Sequence, residues 1–175
     1  MKFLNEILDF FKNLTIENAV DIGIGLAIIV IFKIISSPIA YMIVKMFKFK
    51  VKDKNKIKNN GFYKPLKSFF VILGIYIGFM VLKLPADIFA VITKIFKICV
   101  ILLATKGFSN LFDSNSESFA KLREKLNFDG NDTTINFFSK VAKALIYIIA
   151  GFILITELGY NLGGLATGLG ISSVV

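Results

Sequence analysis

Four long apolar runs restrict the fold of this chain more than any other feature. Each has roughly the 20 residues that a helix needs to cross a hydrocarbon core of about 30 Å. They cover Val20 to Met46, Phe62 to Leu82, Ile88 to Leu111 and Phe137 to Leu158. Hydrophobic residues make up 55% of the chain and charged residues only 19%, whereas a soluble domain is usually about a quarter charged. The sequence therefore predicts an all-α membrane protein with about four full transmembrane helices.

Residue types that catalysis and metal binding rely on are scarce. The chain has no histidine, and its one cysteine, Cys99, lies in an apolar run where packing is the expected role. We therefore predict no enzyme activity, no metal and no cofactor.

Basic residues are unevenly distributed between the two sides of the predicted spans. Nine lie at the connection between the first and second runs and six around the connection between the third and fourth, against three on the opposite side. The three groups are Lys45, Lys48, Lys50, Lys52, Lys54, Lys56, Lys58, Lys64 and Lys67; Lys106, Lys121, Arg123, Lys125, Lys140 and Lys143; and Lys2, Lys12 and Lys83. Because basic loops stay cytoplasmic, we expect the amino terminus outside, in a multi-pass protein of a bacterial inner membrane.

The lysine-rich stretch KFKVKDKNKIKNN leaves several interpretations open. It is foremost a topology determinant, and contact with anionic lipid is the second interpretation. Nucleic-acid binding is the least favoured, since the stretch has no aromatic platform beyond Phe49, and we predict no nucleic-acid partner.

Two segments outside the spans have amphipathic patterns. At the amino terminus, apolar residues at helical spacing from Phe3 to Leu14 predict a helix on the bilayer surface. In the third connection, the capping pattern Ser114-Asn115-Ser116-Glu117 predicts a short helix over Ser116 to Leu126 on the cytoplasmic face.

Three lysines fall inside predicted spans, and an ionisable group there is a functional candidate by default. Lys94 and Lys97 are three residues apart on one helix face, and Lys33 lies in the first run. We predict a role in lipid or tension sensing, by snorkelling to headgroups or by pairing with Glu157. The carboxylates lie at span ends rather than mid-membrane, which disfavours an ion-coupled transporter.

Proline and isolated glycines mark the first run. Ser36-Ser37-Pro38 predicts a kink, because proline removes the backbone hydrogen bond to Ile34. Gly23 and Gly25 are expected to serve only local packing.

The closing segment, Leu162 to Val175, is uncharged and rich in glycine. Its fourteen residues reach only about 21 Å as a helix, so it is the start of a fifth helix that does not complete a crossing. Gly164-xxx-Gly168 and Ala166-xxx-Gly170 have the four-residue spacing that lets helix backbones approach closely. Small residues on nearly every face favour a symmetric oligomer around a pore; a close-packed helix within a monomer is the alternative.

A family resemblance rests on the run LIYIIAGFILITELGYNLGGLATGLGISS, Leu145 to Ser173. This run resembles the pore region of the small-conductance mechanosensitive channel (MscS-like) family, and the upstream helices match longer members in number and orientation. The resemblance implies a heptamer whose glycine-rich helices line a pore that widens under membrane tension and lets small ions pass. It also implies that the chain ends within the pore helix.

The resemblance also implies roles for single residues. Val174 falls where a constricting leucine usually stands, and Ser172 and Ser173 replace a pair of glycines. Turning back along the helix from Val174 gives the pore-lining candidates Gly163, Thr167, Gly170 and Val174. The candidates for helix packing between subunits are Gly164, Ala166 and Gly168.

The predicted organisation has four parts. They are an interfacial amphipathic helix (residues 1–17), outer sensor transmembrane helices (18–112), a cytoplasmic loop with a short helix (113–135), and the inner helix with the start of the pore-lining helix (136–175). The predicted function is a subunit of a membrane-tension-gated ion channel that opens under osmotic or mechanical stress, with membrane lipids as partners. A non-conducting membrane scaffold that assembles through its glycine-rich helix is the alternative.

Overall fold

The protein is all-helical wherever its structure is described. The computed structural model describes residues 16–47, 57–58, 60–114, 116, 119–120, 123–124, 131–161 and 164, and these contain no strand. The long helices are α1 (Ile16–Phe47), α2 (Tyr63–Val81), α3 (Ala86–Leu111) and α4 (Asp132–Glu157). Each of these four is long and apolar enough to cross a membrane. The predicted all-α membrane fold is confirmed.

Helix α4 begins before the apolar run that predicted it. Asn131 has an extended backbone (φ −67°, ψ 161°), and its carbonyl accepts a hydrogen bond from the Ile135 N–H at 3.1 Å. The polar turn that follows Asn131 is therefore already helical, whereas the prediction began at Phe137. Apolarity marks only the part of a helix that suits lipid, not its first turn.

The carboxyl end of α4 is closed by a glycine. Gly159 has φ +101°, a conformation that favours glycine, and its N–H donates to the Thr156 carbonyl at 2.9 Å. The Tyr160 N–H donates to the Ile155 carbonyl at 3.2 Å. These two bonds form a Schellman motif, which satisfies carbonyls that a helix end otherwise leaves without partners.

Helix α1 continues through Pro38. Two residues earlier, the fully buried Ser36 donates its hydroxyl hydrogen bond to the Lys33 carbonyl at 2.8 Å. The next hydroxyl, on Ser37, lies 3.3 Å from the Tyr63 hydroxyl of α2. Polar groups near the proline are thus bonded within the protein, as a span in lipid requires.

The chain divides into two compact units, Met1–Leu103 and Ala104–Val175, with the boundary inside α3. In the first unit, α1 and α2 form an antiparallel hairpin. Its connected end has a core of buried side chains: Ala40, Val44, Ile57 and Tyr63, with Tyr41 and Leu66 packed against them.

In the second unit, buried side chains lie between the end of α3 and the start of α4. Ile135 of α4 is 4% exposed, and Phe119 packs its ring edge-on to Phe112, with ring centroids 6.5 Å apart. Ser116 caps the turn that carries Phe119: its hydroxyl accepts the Phe119 N–H at 3.1 Å and donates to the Leu111 carbonyl at 3.0 Å. Residues 119–120 and 123–124 are helical, within the short helix predicted there.

Large apolar side chains remain exposed along the four spans. Ile34 of α1 is 68% exposed, Met80 of α2 is 59%, Ile95 of α3 is 55% and Ile149 of α4 is 57%. Water would make such surfaces unfavourable, whereas lipid tails solvate them.

Candidate functional site

The closest helix contact in the first unit is made by three glycines, Gly25 on α1 and Gly74 and Gly78 on α2, which we call the glycine seam. A Cβ atom placed on Gly78 would lie 2.8 Å from Ile29 Cγ1 and 2.9 Å from the Gly25 carbonyl oxygen. One placed on Gly25 would lie 2.8 Å from the Gly78 carbonyl oxygen, and one on Gly74 would overlap the Phe32 side chain. At Gly25 and Gly78 the two backbones therefore lie so close that neither position has room for a side chain.

Only part of the glycine seam follows from the sequence interpretation. The expectation that Gly25 serves only local packing is wrong, because its neighbours are on another helix. Gly23 has nothing within 4 Å of a Cβ position, so no packing contact is seen there. Gly74-xxx-Gly78 has the same four-residue spacing that was noted in the closing segment, so that signal was present in α2 as well.

The opposite side of α2 carries an aromatic contact with α3. The Tyr76 ring stacks on the Phe96 ring, with centroids 4.3 Å apart and planes 17° apart, and on the Phe89 ring at 5.7 Å. The Tyr76 hydroxyl lies 3.4 Å from Thr93 Oγ1, which donates to the Phe89 carbonyl at 2.9 Å. Tyr76 is two residues from each seam glycine of α2, so this helix presents small residues on one side and a large ring on the other.

Across the turn between α2 and α3, an ion pair closes the far end of the hairpin. Lys83 Nζ lies 3.1 Å from Asp21 Oδ2 of α1, and Lys83 itself has a left-handed backbone with φ 48°. The Lys83 side chain is 81% exposed, so solvent screens this pair and its contribution to stability is small.

In the second unit, polar contacts join the end of α3 to α4; we call these contacts the polar tie. Ser139, only 2% exposed, donates its hydroxyl to the Phe112 carbonyl, just past the end of α3. Lys143, one turn further along α4, places Nζ 2.7 Å from Asp113 Oδ2. One α4 face thus satisfies both a helix-end carbonyl and a carboxylate.

The polar tie continues along α3. Ser109, 5% exposed, donates its hydroxyl to the Tyr147 hydroxyl of α4 at 3.3 Å. One turn earlier Thr105 is also buried, at 8% exposure. The Ser109 hydroxyl joins two helices by a directional bond rather than by shape.

The three lysines predicted to sense lipid or tension lie within the described spans. Lys33 is in α1, and Lys94 and Lys97 are in α3; all three side chains are exposed. Their role stays a prediction.

Most predicted pore and packing positions lie outside the described residues. This holds for Gly163, Thr167, Gly170 and Val174 among the pore-lining candidates, and for Ala166 and Gly168 among the packing candidates. Gly164 is described: it is exposed, and nothing lies within 4 Å of a Cβ position on it. Most of the predicted amino-terminal surface helix also falls outside the described part, which starts at residue 16.

The same described ranges contain no group of three or more His, Cys, Asp or Glu side chains that could hold a metal ion.

Two known proteins that are similar to this chain are both named as MscS family proteins. Over 164 residues the chain is 27% identical to the uncharacterized MscS family protein YhdY of Bacillus subtilis, covering 91% of this chain and 44% of the relative. Over 153 residues it is 29% identical to an uncharacterized MscS family protein of Aquifex aeolicus, covering 85% of this chain and 41% of the relative. The chain is similar to MscS family proteins. The predicted resemblance is confirmed, and the chain spans less than half the length of the curated relatives that it matches.

No family model and no solved structure matches the chain. The similarity to MscS family proteins therefore rests on these two relatives. Both alignments cover most of the chain, whereas the resemblance noted in the sequence covered closely only about thirty residues at its end.

Proposed function

We propose that the chain is the membrane-embedded part of a tension-gated ion channel subunit, combining sensor helices with the beginning of a pore. The observation that carries this proposal is the similarity to two MscS family proteins over 91% and 85% of the chain. Four apolar helices with exposed lipid-compatible surfaces agree with it. The chain supplies no chemistry in this function: ions move down their gradients once a pore is open.

The proposed mechanism is a shift of population between a closed state and an open state that occupies more membrane area. Tension lowers the free energy of the larger state in proportion to the area difference, so the open fraction rises. The glycine seam supports a sensor role for the hairpin. Helices whose backbones touch transmit a displacement at one surface to the other, because packed atoms compress little.

Lys33, Lys94 and Lys97 are proposed to sense the lipid. An ammonium group within a span is stable only if it reaches headgroups, water or an acidic partner. A change in local bilayer thickness alters the distance that each side chain must extend to reach the headgroups. It therefore changes the free energy of the channel state that places the lysine at that depth.

Assembly into a homo-oligomer is part of the proposal. A pore at a symmetry axis needs several copies, and the glycine-rich segment after Leu162 is the proposed contact between them, with Gly164, Ala166 and Gly168 at the interface. Seven copies, a bacterial inner-membrane location and an external amino terminus are proposed from the resemblance and from the distribution of basic residues.

Patch-clamp recording of the full-length protein under graded suction tests the function. We expect stepwise currents whose open probability rises with suction in membranes that contain the protein, and none in matched membranes without it. Gly164→Leu should shift the opening threshold, because the larger side chain separates neighbouring helices. Gly151→Leu is the matched control, since Gly151 lies on α4, outside the proposed contact between subunits.

The recordings also separate the channel from the scaffold alternative. A protein that forms oligomers in detergent, as measured by native mass spectrometry, but carries no tension-dependent current would be a scaffold. A protein that stays monomeric in detergent and lipid would exclude both functions.

A further inference from the structure

In the described part of the connection between α1 and α2, Ile57 is buried against the hairpin. Ile57 is 0% exposed and belongs to the core cluster that includes Ala40, Val44 and Tyr63. Apart from this isoleucine, the surrounding stretch is almost entirely lysine and asparagine. Burying an isoleucine away from water is favourable, so this side chain holds the end of the connection against the hairpin.

Backbone bonds extend this anchored geometry to the start of α2. The Ile57 carbonyl accepts the Asn60 N–H at 3.2 Å, and the Asn60 carbonyl accepts the Tyr63 N–H at 3.0 Å. The Asn60 side chain also accepts the Phe62 N–H at 2.9 Å. These bonds define the turn between the buried Ile57 and α2. The backbone of Lys58, next to Ile57, is therefore held in place.

Four exposed lysines lie in this turn and at the adjoining ends of α1 and α2, and we call them the basic collar. They are Lys45, Lys58, Lys64 and Lys67. The Lys45 ammonium lies 6.0 Å from the centre of the Tyr41 ring. Lys64 and Lys67 are three residues apart and thus neighbours on the surface of α2.

The sequence around this region contains few acidic residues. Asp53 is the only acidic residue in the sequence between Asp21 and Asp87. Asp21 itself pairs with Lys83 at the other end of the hairpin. The connected end therefore carries a strong net positive charge.

We infer that the basic collar binds the phosphate groups of anionic phospholipids. It lies where two spans end, which is the level of the headgroups, and each lysine close to an anionic membrane surface adds up to about fivefold in affinity. Setting the topology requires only enough positive charges on one side. The buried Ile57 and the bonded turn hold the charges in a defined arrangement, which a topology signal does not require.

The test measures lipid preference in vesicles and does not depend on channel activity. The full chain is placed in phosphatidylcholine vesicles with a trace of spin-labelled phosphatidylglycerol or spin-labelled phosphatidylcholine, and electron paramagnetic resonance gives the protein-bound fraction of each. We expect a preference for phosphatidylglycerol. At about 1 M salt, where the screening length falls to about 3 Å, the preference should disappear without any mutation.

Variants assign the preference to the basic collar. The four changes made together are Lys45→Gln, Lys58→Gln, Lys64→Gln and Lys67→Gln. They should lower the preference at least about fivefold. The same four positions changed to Arg form the matched control and should retain it, and both proteins are checked for helix content by circular dichroism. Ile57→Ala keeps every charge but frees the turn, and should lose part of the preference.

Several outcomes would overturn the inference. One is an equal preference in the wild-type protein and the four-glutamine protein. Another is loss of the preference on adding soluble glycerol phosphate, which would assign the collar to free phosphates. A third is lysine-dependent binding of an oligonucleotide in detergent with no lipid preference in vesicles, which would make this a nucleic-acid surface.

Discussion

The two units of the protein hold their helices together in different ways. In the first unit, α1 and α2 meet at Gly25 and Gly78, where backbone faces backbone, and at Gly74, which faces the Phe32 side chain. In the second unit, the end of α3 meets α4 through the polar tie, in which Ser139 and Lys143 bind Phe112 and Asp113. Lipid provides no hydrophobic drive between helices, so a membrane protein relies on close packing or on hydrogen bonds. In this chain the closest packing lies in the first unit, beside the Ser37–Tyr63 and Asp21–Lys83 contacts, and the second unit is joined by the polar tie.

The two solutions differ in how they respond to change. Packing between glycines depends on shape alone, so salt does not weaken it and a single added side chain disrupts it. Hydrogen bonds and an ion pair tolerate small displacements and fail one at a time. The two helices joined by the glycine seam are therefore suited to moving together. The helices joined by the polar tie can separate as its contacts break one at a time.

The largest expected effect comes from filling the glycine seam. Gly78→Leu forces the new side chain into Ile29 and the Gly25 carbonyl, and should lower the free energy of unfolding by about 3 kcal/mol, the upper range for overpacked interiors. Titration with sodium dodecyl sulfate, followed by circular dichroism, measures it.

Gly23→Leu is the control for this change, because it adds the same side chain to α1 only two residues from Gly25, into open space. Equal destabilisation by both substitutions would show that helix propensity or lipid contact, not the seam, sets the stability of the hairpin.

An intermediate effect is expected at the aromatic contact of α2. Tyr76→Ala removes two stacked ring contacts and should cost about 2 kcal/mol in the same assay. Tyr76→Phe retains the stacking on Phe96 and Phe89 and should cost less than about 0.5 kcal/mol, since the hydroxyl contact with Thr93 is long at 3.4 Å. If Tyr76→Phe is as destabilising as Tyr76→Ala, the hydroxyl rather than the ring joins α2 to α3.

The smallest effect is expected at the polar tie. A double-mutant cycle with Lys143→Gln and Asp113→Asn should give a coupling energy of about 0.6 kcal/mol, typical of polar contacts in membrane proteins. The coupling should fall as salt is raised, because these side chains are 28% and 44% exposed. A coupling that is unaffected by salt would contradict the distinction between the two units.

The spans were predictable because length and apolarity are local properties of the sequence. Their observed limits, Ala19–Met46, Tyr63–Val81, Ala86–Leu111 and Thr133–Glu157, lie within a few residues of the predicted runs. The exception at the start of α4 arises because Asn131 starts a helix through its backbone, in a polar stretch with no apolar signal.

The contacts between spans were much less predictable. Gly74-xxx-Gly78 carries a recognisable spacing, but its partner Gly25 has no such motif and is defined only by the register of α1 against α2. Ser139 binds the Phe112 backbone carbonyl, which no side-chain pattern can reveal. Lys143 was counted only as a topology charge, although its position on α4 also brings it to Asp113.

The unequal lengths of α1 and α2 have a mechanical consequence. α1 has 32 residues and α2 has 19, or about 48 Å and about 28 Å of helix. The shorter helix nearly matches a hydrocarbon thickness of about 30 Å, whereas the longer one must lean or emerge from the bilayer. Because the glycine seam binds the two together, neither can change its tilt alone. When the bilayer thins, α1 and α2 therefore tilt together, and their common tilt angle follows the thickness of the surrounding bilayer.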